Sequence, residues 1–440
     1  MSLKTPEALE RLQTKLYLKA KEDKTCRFHQ LYDKLYRDDV IAYAWRRAKS
    51  NGGAPGVDGV TFGRIEQDGL GAWLADLKEQ LRDKTHKPSP VRRVMIPKPG
   101  GGERPLGIPT IRDRVAQTAA KLLLEPIFEA DFEDCAYGYR PGRSAQDAVR
   151  EARKGVCAGY TQVADADLSK YFDTIPHAAL MRSLARRVCD KHMLRAVKLW
   201  LKTPVEETDD KGRKRMTGGK SNNKGTPQGG VISPLLANIH KRRYLRYWKQ
   251  QGKDRAFRAK LVNYADDFVI LSRGMAEPAL KWTRMVTTRI GLTLNETKTR
   301  VREGRREPFN FLGHTFGPET RRRDGHWHLS AKPSRKAIDR LKEKARTLLR
   351  PSNVGAWPEV SDRLNAMLRG WANYFSHGAR YMAYRELDNY VYERVRGFLK
   401  RRHKVKSRAT RKFSDKIAFG ELGVQRLRAL HIGPPPTASR

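Results

Sequence analysis

Leu261-Val262-Asn263-Tyr264-Ala265-Asp266-Asp267-Phe268-Val269-Ile270-Leu271 sets two short apolar runs on either side of a pair of adjacent aspartates. Runs of this length read as core strands, and the polar pair between them as the tip of a buried β-hairpin. Two neighbouring carboxylates in such a place cost solvation energy unless hydrogen bonds or a cation compensate. A divalent metal is the natural compensation. Asp is also common in exposed turns, so Tyr264–Asp267 does not choose between the two readings by itself.

Charge supplies the context. The 440 residues hold 90 Lys+Arg against 48 Asp+Glu, a formal net charge of +42, with a pI near 10.4. Positive charge at this density repels itself unless a polyanion shares the surface, and nucleic acid is the leading candidate. An anionic membrane is the competing polyanion. The chain has no long uncharged apolar run, its mean hydropathy is −0.72, and its basic residues spread over the whole length, so no membrane partner is expected. Met1–Glu7 lacks a basic start followed by an apolar stretch, so no secretory signal is expected, and the want of a transit-like leader favours a bacterial cytoplasm. Cys26, Cys135, Cys157 and Cys189 are far apart and form no Cys-x-x-Cys pair, which suits isolated thiols in a reducing compartment.

A walk along the chain finds helical spacing and then a turn over residues 28–60, a helix around Leu74–Leu81, and a basic-tipped hairpin from Val91 to Ile108. A helix follows from Arg112 to Phe128. Gln162–Leu168 reads as a strand and Ser169–Asp173 as the turn leaving it, whereas the polar stretch Glu206–Lys224 reads as an exposed loop. Ser233-Pro234 opens a further helix, with Ser as N-cap and Pro in the first helical position. After the 261–271 hairpin a helix is expected near 276–290 and short strands near 292–294 and 309–316. Beyond residue 333 only helical stripes appear: Ile338, Leu341, Ala345 and Leu348; then Leu364, Leu368, Trp371 and Phe375; then Leu387, Val391 and Val395. These predict a separate three-helix bundle. Arg394–Lys412 is dense in basic residues and reads as a solvated appendage. Gly219-Lys220-Ser221 ends like a phosphate-binding loop, but Lys214 stands where the motif needs glycine and no apolar strand precedes it, so a solvated loop is expected.

Phosphoryl transfer onto a 3′-hydroxyl uses two metal ions, one activating the attacking oxygen and one steadying the leaving pyrophosphate, bridged by carboxylates. Magnesium prefers oxygen ligands and keeps some of its water, so two or three aspartates from different strands suffice. Asp266 and Asp267 supply one strand's share. Asp167, at the end of the 162–168 strand, would supply the rest if the two strands lie side by side. Asp165 shares a face with Asp167, and strand alternation does not choose between them.

The motifs then fall into a known order. Asp167-Leu168-Ser169-Lys170-Tyr171-Phe172-Asp173 with Ile175-Pro176-His177, then Lys224–Asn238 around Pro227-Gln228-Gly229-Gly230, then Tyr264–Asp267, resemble the reverse transcriptases encoded by bacterial and organellar group II introns. The resemblance continues through Leu292–Thr299 and Phe309–His314. Upstream it takes in the 51–59 loop and the Arg92–Ile108 hairpin, and downstream Leu364–Phe375 is similar to the family's thumb, or maturase domain. It covers roughly residues 28 to 430.

That resemblance implies an α+β right-hand polymerase: fingers, a ferredoxin-like palm with an antiparallel sheet, an all-helical thumb or maturase domain, and a basic C-terminal segment. The implied division is an N-terminal extension over 1–60, fingers over 61–160, palm over 161–325 with inserted finger elements near 205–235, thumb over 330–395, and a basic DNA-binding segment over 396–440. Asp167, Asp266 and Asp267 match the catalytic, metal-binding carboxylates, implying two Mg²⁺ ions, with Mn²⁺ a possible substitute. Lys98 and Arg104 match finger residues that clasp the triphosphate, Phe172 the ring beneath the incoming sugar, Gln228 the lining of the nucleotide pocket, and Lys298 a lysine proposed to protonate the pyrophosphate. Implied partners are the parent intron RNA, an RNA template with a DNA primer, target DNA and dNTPs; monomer and dimer are both open. The Cys- and His-rich nuclease domain of longer members is not seen before Arg440, so second-strand nicking is not expected. Two rivals stand beside the maturase: a non-catalytic RNA-binding splicing factor, and a domesticated reverse transcriptase of a defence or repair system.

Overall fold

The structure is a computed structural model that describes residues 3–97, 101–209, 211–320, 327–406 and 409–430. Its strands among the described residues are, in chain order, β1 Val91–Pro97, β2 Glu103–Ile108, β3 Gln162–Asp167, β4 Pro204–Thr208, β5 Lys214–Gly218, β6 Ala259–Tyr264, β7 Asp267–Ser272, β8 Arg300–Glu303, β9 Phe309–Phe311, β10 His314–Thr320 and β11 Trp327–Pro333. The chain divides into two compact units: one runs to Pro141 and includes Asp167–Lys253 and Lys281–Asn295, and the other holds Gly142–Ala166, Asp254–Leu280 and the chain from Glu296 onward.

In the first unit the helices Glu7–Glu22 and Asp38–Asn51 pack against the long helix Ile111–Glu129. That helix starts where the hydroxyl of Thr110 accepts from the Asp113 backbone N–H, and it is buried on nearly every side. Small residues such as Ala116, Ala119 and Ala120 let neighbours approach closely in such a central place, and the buried polar Asp113 and Arg114 are hydrogen-bonded there. Beside it a four-stranded sheet runs in the order β2-β1-β4-β5, with β1 and β2 antiparallel from Arg92↔Ile108 to Pro97↔Glu103. The polar stretch expected as a loop is instead the β4–β5 hairpin, Pro204↔Gly218 to Thr208↔Lys214, which adds to β1. The outer end of this sheet, where β5 is the edge strand, has only one covered face, so the half-buried pair Val205 and Thr217 suffices where a fully buried strand would need a longer apolar run.

The second unit holds the sheet β6-β7-β3-β8, in which β6 with β7 and β3 with β8 are antiparallel. The helix Ala145–Cys157 opens on a capping box between Ser144 and Asp147 and packs on β6, β7 and β11. A Cβ on Gly155 of that helix would stand 2.6 Å from Leu271 Cδ1, so the close helix–sheet approach depends on glycine. A second sheet, β11-β10-β9, stacks Phe309 on Phe316 at 4.9 Å. The three expected helices are present as Arg335–Leu348, Trp357–Tyr374 and Tyr381–Arg402, with Leu341, Leu364, Leu368, Leu387 and Val391 in one shared core. Ala409, Phe413, Val424 and Leu427 join that core. Buried Asp388 accepts from the Leu427 N–H at 2.7 Å and from Arg428 Nε at 2.9 Å. The basic stretch read as a solvated appendage is therefore helical to Arg402, and residues 409–430 close the bundle. Its apolar residues are too sparse to show a period, and tertiary packing orders them.

Candidate active site

The β6–β7 hairpin closes with Tyr264 opposite Asp267, leaving Ala265 and Asp266 as its two-residue turn. Ala265 has φ 54°, in the left-handed region that a residue with a Cβ enters at a cost of about 1 kcal/mol. Val262, Phe268, Val269 and Ile270 are fully buried, while Asp266 and Asp267 are half-buried at the tip. The paired aspartates thus stand where an apolar strand pair meets a polar edge. Tyr374, at the end of the helix Trp357–Tyr374, belongs to the same surroundings. Its hydroxyl donates to Leu312 O at 2.9 Å, and burial, then the neighbouring Tyr264 and Asp267, push it up to about 12. No sequence signal marked Tyr374, because the link is purely tertiary.

Asp167 is the last residue of β3, the strand next to β7 in the sheet order. Its carbonyl accepts from the Asn295 N–H at 2.8 Å, and its Oδ2 lies 3.5 Å from Asn295 Nδ2. Asp165 sits two residues back, directly opposite Arg300 of β8. Register thus separates two aspartates that alternation alone left equivalent: Asp165 faces a cation across the ladder, and Asp167 ends the strand.

Phe172 and Gln228, which sequence reasoning set at a nucleotide pocket, are held by contacts within the first unit. Phe172, in the short helix Tyr171–Thr174, is half-buried, edge-on to Tyr139 with ring centroids 6.1 Å apart and tilted to Tyr171 at 5.4 Å. Its carbonyl accepts from the Thr226 N–H at 2.7 Å, and Gln228 Nε2 donates to both oxygens of Asp173 at 3.0 Å. His177 Nε2 donates to Gly225 O at 2.6 Å, and burial pushes this imidazole below its usual pKa range. The Gly107 N–H of β2 donates to Gln228 O at 2.6 Å. The structure therefore brings together Phe172, Gln228 and the strand carrying Arg104, and adds Asp173 and His177 as supports that sequence reasoning gave no role. Arg104 is exposed, and its side chain has no ion pair or hydrogen bond among the described residues. Lys98 lies outside the described residues. Lys298 is exposed in the turn before β8. Among the described residues no three His, Cys, Asp or Glu side chains form a ready-made metal cage.

Residues 96–316 match the family model "Reverse transcriptase (RNA-dependent DNA polymerase)", and residues 338–415 match "Group II intron, maturase-specific domain". The chain belongs to the group II intron reverse transcriptases. Protein YkfC of Escherichia coli K12 is 36% identical over 344 residues, 70% of this chain and 87% of that protein. The group II intron-encoded protein LtrA of Lactococcus lactis subsp. cremoris is 34% identical over 217 residues, 48% of this chain. That match spans 34% of LtrA, so the chain answers to about a third of its length. A telomerase structure from Candida albicans, in complex with a fragment of telomeric RNA, covers 82% of this chain and 68% of that one at 13% identity and a TM-score of 0.43. As a group II intron reverse transcriptase, the protein carries an RNA-directed DNA polymerase domain followed by a maturase domain. No described helix is long and apolar enough to cross a membrane.

Proposed function

We propose that the chain copies RNA into DNA at a site made by Asp167, Asp266 and Asp267, and that it also grips its parent intron RNA as a maturase. The observation that carries the polymerase reading is the strand order: β3, ending at Asp167, is the neighbour of β7, which begins at Asp267. Three carboxylates are the hard oxygen donors that Mg²⁺ takes, so the donor set fits that ion, and Mn²⁺ could replace it. When bound, such ions lower the pKa of a primer 3′-hydroxyl and neutralise pyrophosphate. Arg104, on a hairpin edge and unpaired among the described residues, is suited to hold the triphosphate of a dNTP. Gln228, steadied by Asp173, lines the nucleotide's place and Phe172 sets its sugar preference, while motif position alone assigns Lys98 to the triphosphate and Lys298 to the leaving pyrophosphate.

Target DNA and a place of work in the bacterial cytoplasm belong to the same proposal. We divide the chain as an N-terminal extension to residue 60, fingers to 160, palm to 325, thumb over 330–395 and a DNA-binding segment beyond, on the strength of motif order. Asp266→Ala is expected to abolish primer extension on an RNA template with magnesium while RNA binding persists. Unchanged extension would sink the assignment of the site.

A further inference from the structure

Two Arg-Arg pairs in the first unit divide their labour in the same way. Arg187 grips buried Asp131 with both arms, Nη2 to Oδ1 at 2.7 Å and Nε to Oδ2 at 2.8 Å, and Arg242 Nη2 stands 3.5 Å from the same carboxylate. Lys24 Nζ adds a third cation at 3.7 Å. The partners of these three bases, Arg186, Arg243 and Arg27, turn instead into one open cavity of about 500 Å³, where Arg182 joins them one helical turn before Arg186. Three chain segments thus each give one base to Asp131 and one to the cavity.

Among the described residues the four cavity arginines meet no acid. Arg27 donates to Ala185 O at 3.1 Å, and Arg182, Arg186 and Arg243 have no ion pair or side-chain hydrogen bond among the described residues. Burial and then the like charges of Arg186 and Arg182 push half-buried Arg243 below its usual pKa range. Arg27, Arg182 and Arg186 are exposed and keep their water, so solvent screens their mutual repulsion, and a phosphate that accepts paired N–H donors would supply the counter-charge that half-buried Arg243 lacks.

We propose that this cavity is a phosphate-binding subsite for the backbone of a folded RNA, separate from the polymerase residues. The inference rests on the maturase reading. Among the described residues no aromatic side chain lines the cavity, so these offer no base stacking and read charge and shape alone. Its walls include the helix His177–Ala185, which carries Arg182 and ends at Arg186, and the helix Ser233–Gln250, which carries Arg243. A fixed subsite suits an RNA whose phosphates keep one tertiary arrangement, whereas a template that must advance after each nucleotide gains little from it.

The test compares Arg182→Gln/Arg186→Gln with Lys15→Gln/Lys19→Gln, which removes the same charge from the exposed face of the helix Glu7–Glu22. Binding to structured RNA flanking the reading frame is titrated between about 50 and 300 mM salt, beside a DNA duplex of equal length and inorganic phosphate. The cavity variant is expected to lose about tenfold in RNA affinity and roughly one unit of the log–log salt slope. The helix variant should lose less than about threefold, and primer extension on a short RNA template should stay within about twofold for both. Equal losses in the two variants, equal losses for DNA, or phosphate binding abolished with RNA binding intact would each overturn the subsite. If the wild-type protein extends primers but fails to bind structured RNA, the maturase reading falls and the subsite with it, and the wild-type arm alone reports that outcome.

Discussion

Phe172 reaches its place through neighbours on three segments: Tyr139 at its edge, Tyr171 beside it, and the Thr226 N–H on its carbonyl. A ring fixed in this way can exclude a 2′-hydroxyl by bulk, since a rigid wall discriminates better than a mobile one. Phe172→Ala is expected to raise ribonucleotide incorporation relative to deoxynucleotides by about tenfold or more, or roughly 1–3 kcal/mol of discrimination, measured as the ratio of kcat/KM for the two sugars. An unchanged ratio would assign Phe172 to packing alone. At this scale the sequence named the residue but not its supports. Asp173, His177 and Tyr374 act through partners 55, 48 and 62 positions away, separations that leave no periodic trace.

The turn Pro227–Gly230 works as an element because one of its glycines and a glycine of β2 let two backbones meet. Gly229 has φ +105°, and a Cβ there would lie 2.2 Å from Gly107 O; Gly107 would in turn place a Cβ 2.5 Å from Val91 Cγ1. Gly229→Ala is therefore expected to cost about 2–4 kcal/mol and to weaken nucleotide binding by displacing Gln228. Gly252→Ala is the comparison: φ is +57° but nothing lies within 4 Å, so only about 1 kcal/mol of backbone cost is expected. Thermal melting of the two variants checks this, and equal shifts would mean that the close approach to β2 carries no weight. The helices of the C-terminal bundle were legible because their apolar stripes repeat at 3.6 residues. The β4–β5 hairpin was not, because one-sided burial at a sheet edge leaves a polar sequence. Ser233 makes the same point: in place of capping its helix it donates its hydroxyl to Pro227 O at 2.9 Å, and Ile232 takes the cap position.

Both units bury a neutral imidazole. His240 donates to Ile290 O at 3.0 Å and is pushed down to about 4 by burial, as is His314, which donates to Leu312 O at 3.2 Å. A histidine whose folded pKa lies below its unfolded value contributes its full stability above about pH 6.5 and loses it as pH falls toward 4. Stability is therefore expected to be level above about pH 7 and to drop by about 2 kcal/mol per histidine by pH 5, read from denaturant unfolding across that range. A level profile down to pH 5 would contradict two buried neutral rings. The sequence by itself determined the family, the helical C-terminal bundle, the polyanion partner and the candidate carboxylates, because each depends on local spacing or on summed charge. Tertiary structure alone decided that Asp165 faces Arg300 while Asp167 ends its strand, that residues 409–430 complete the bundle, and that paired arginines split between Asp131 and an open cavity. Those outcomes depend on which distant segments share a neighbour, and short-range pattern carries no record of that.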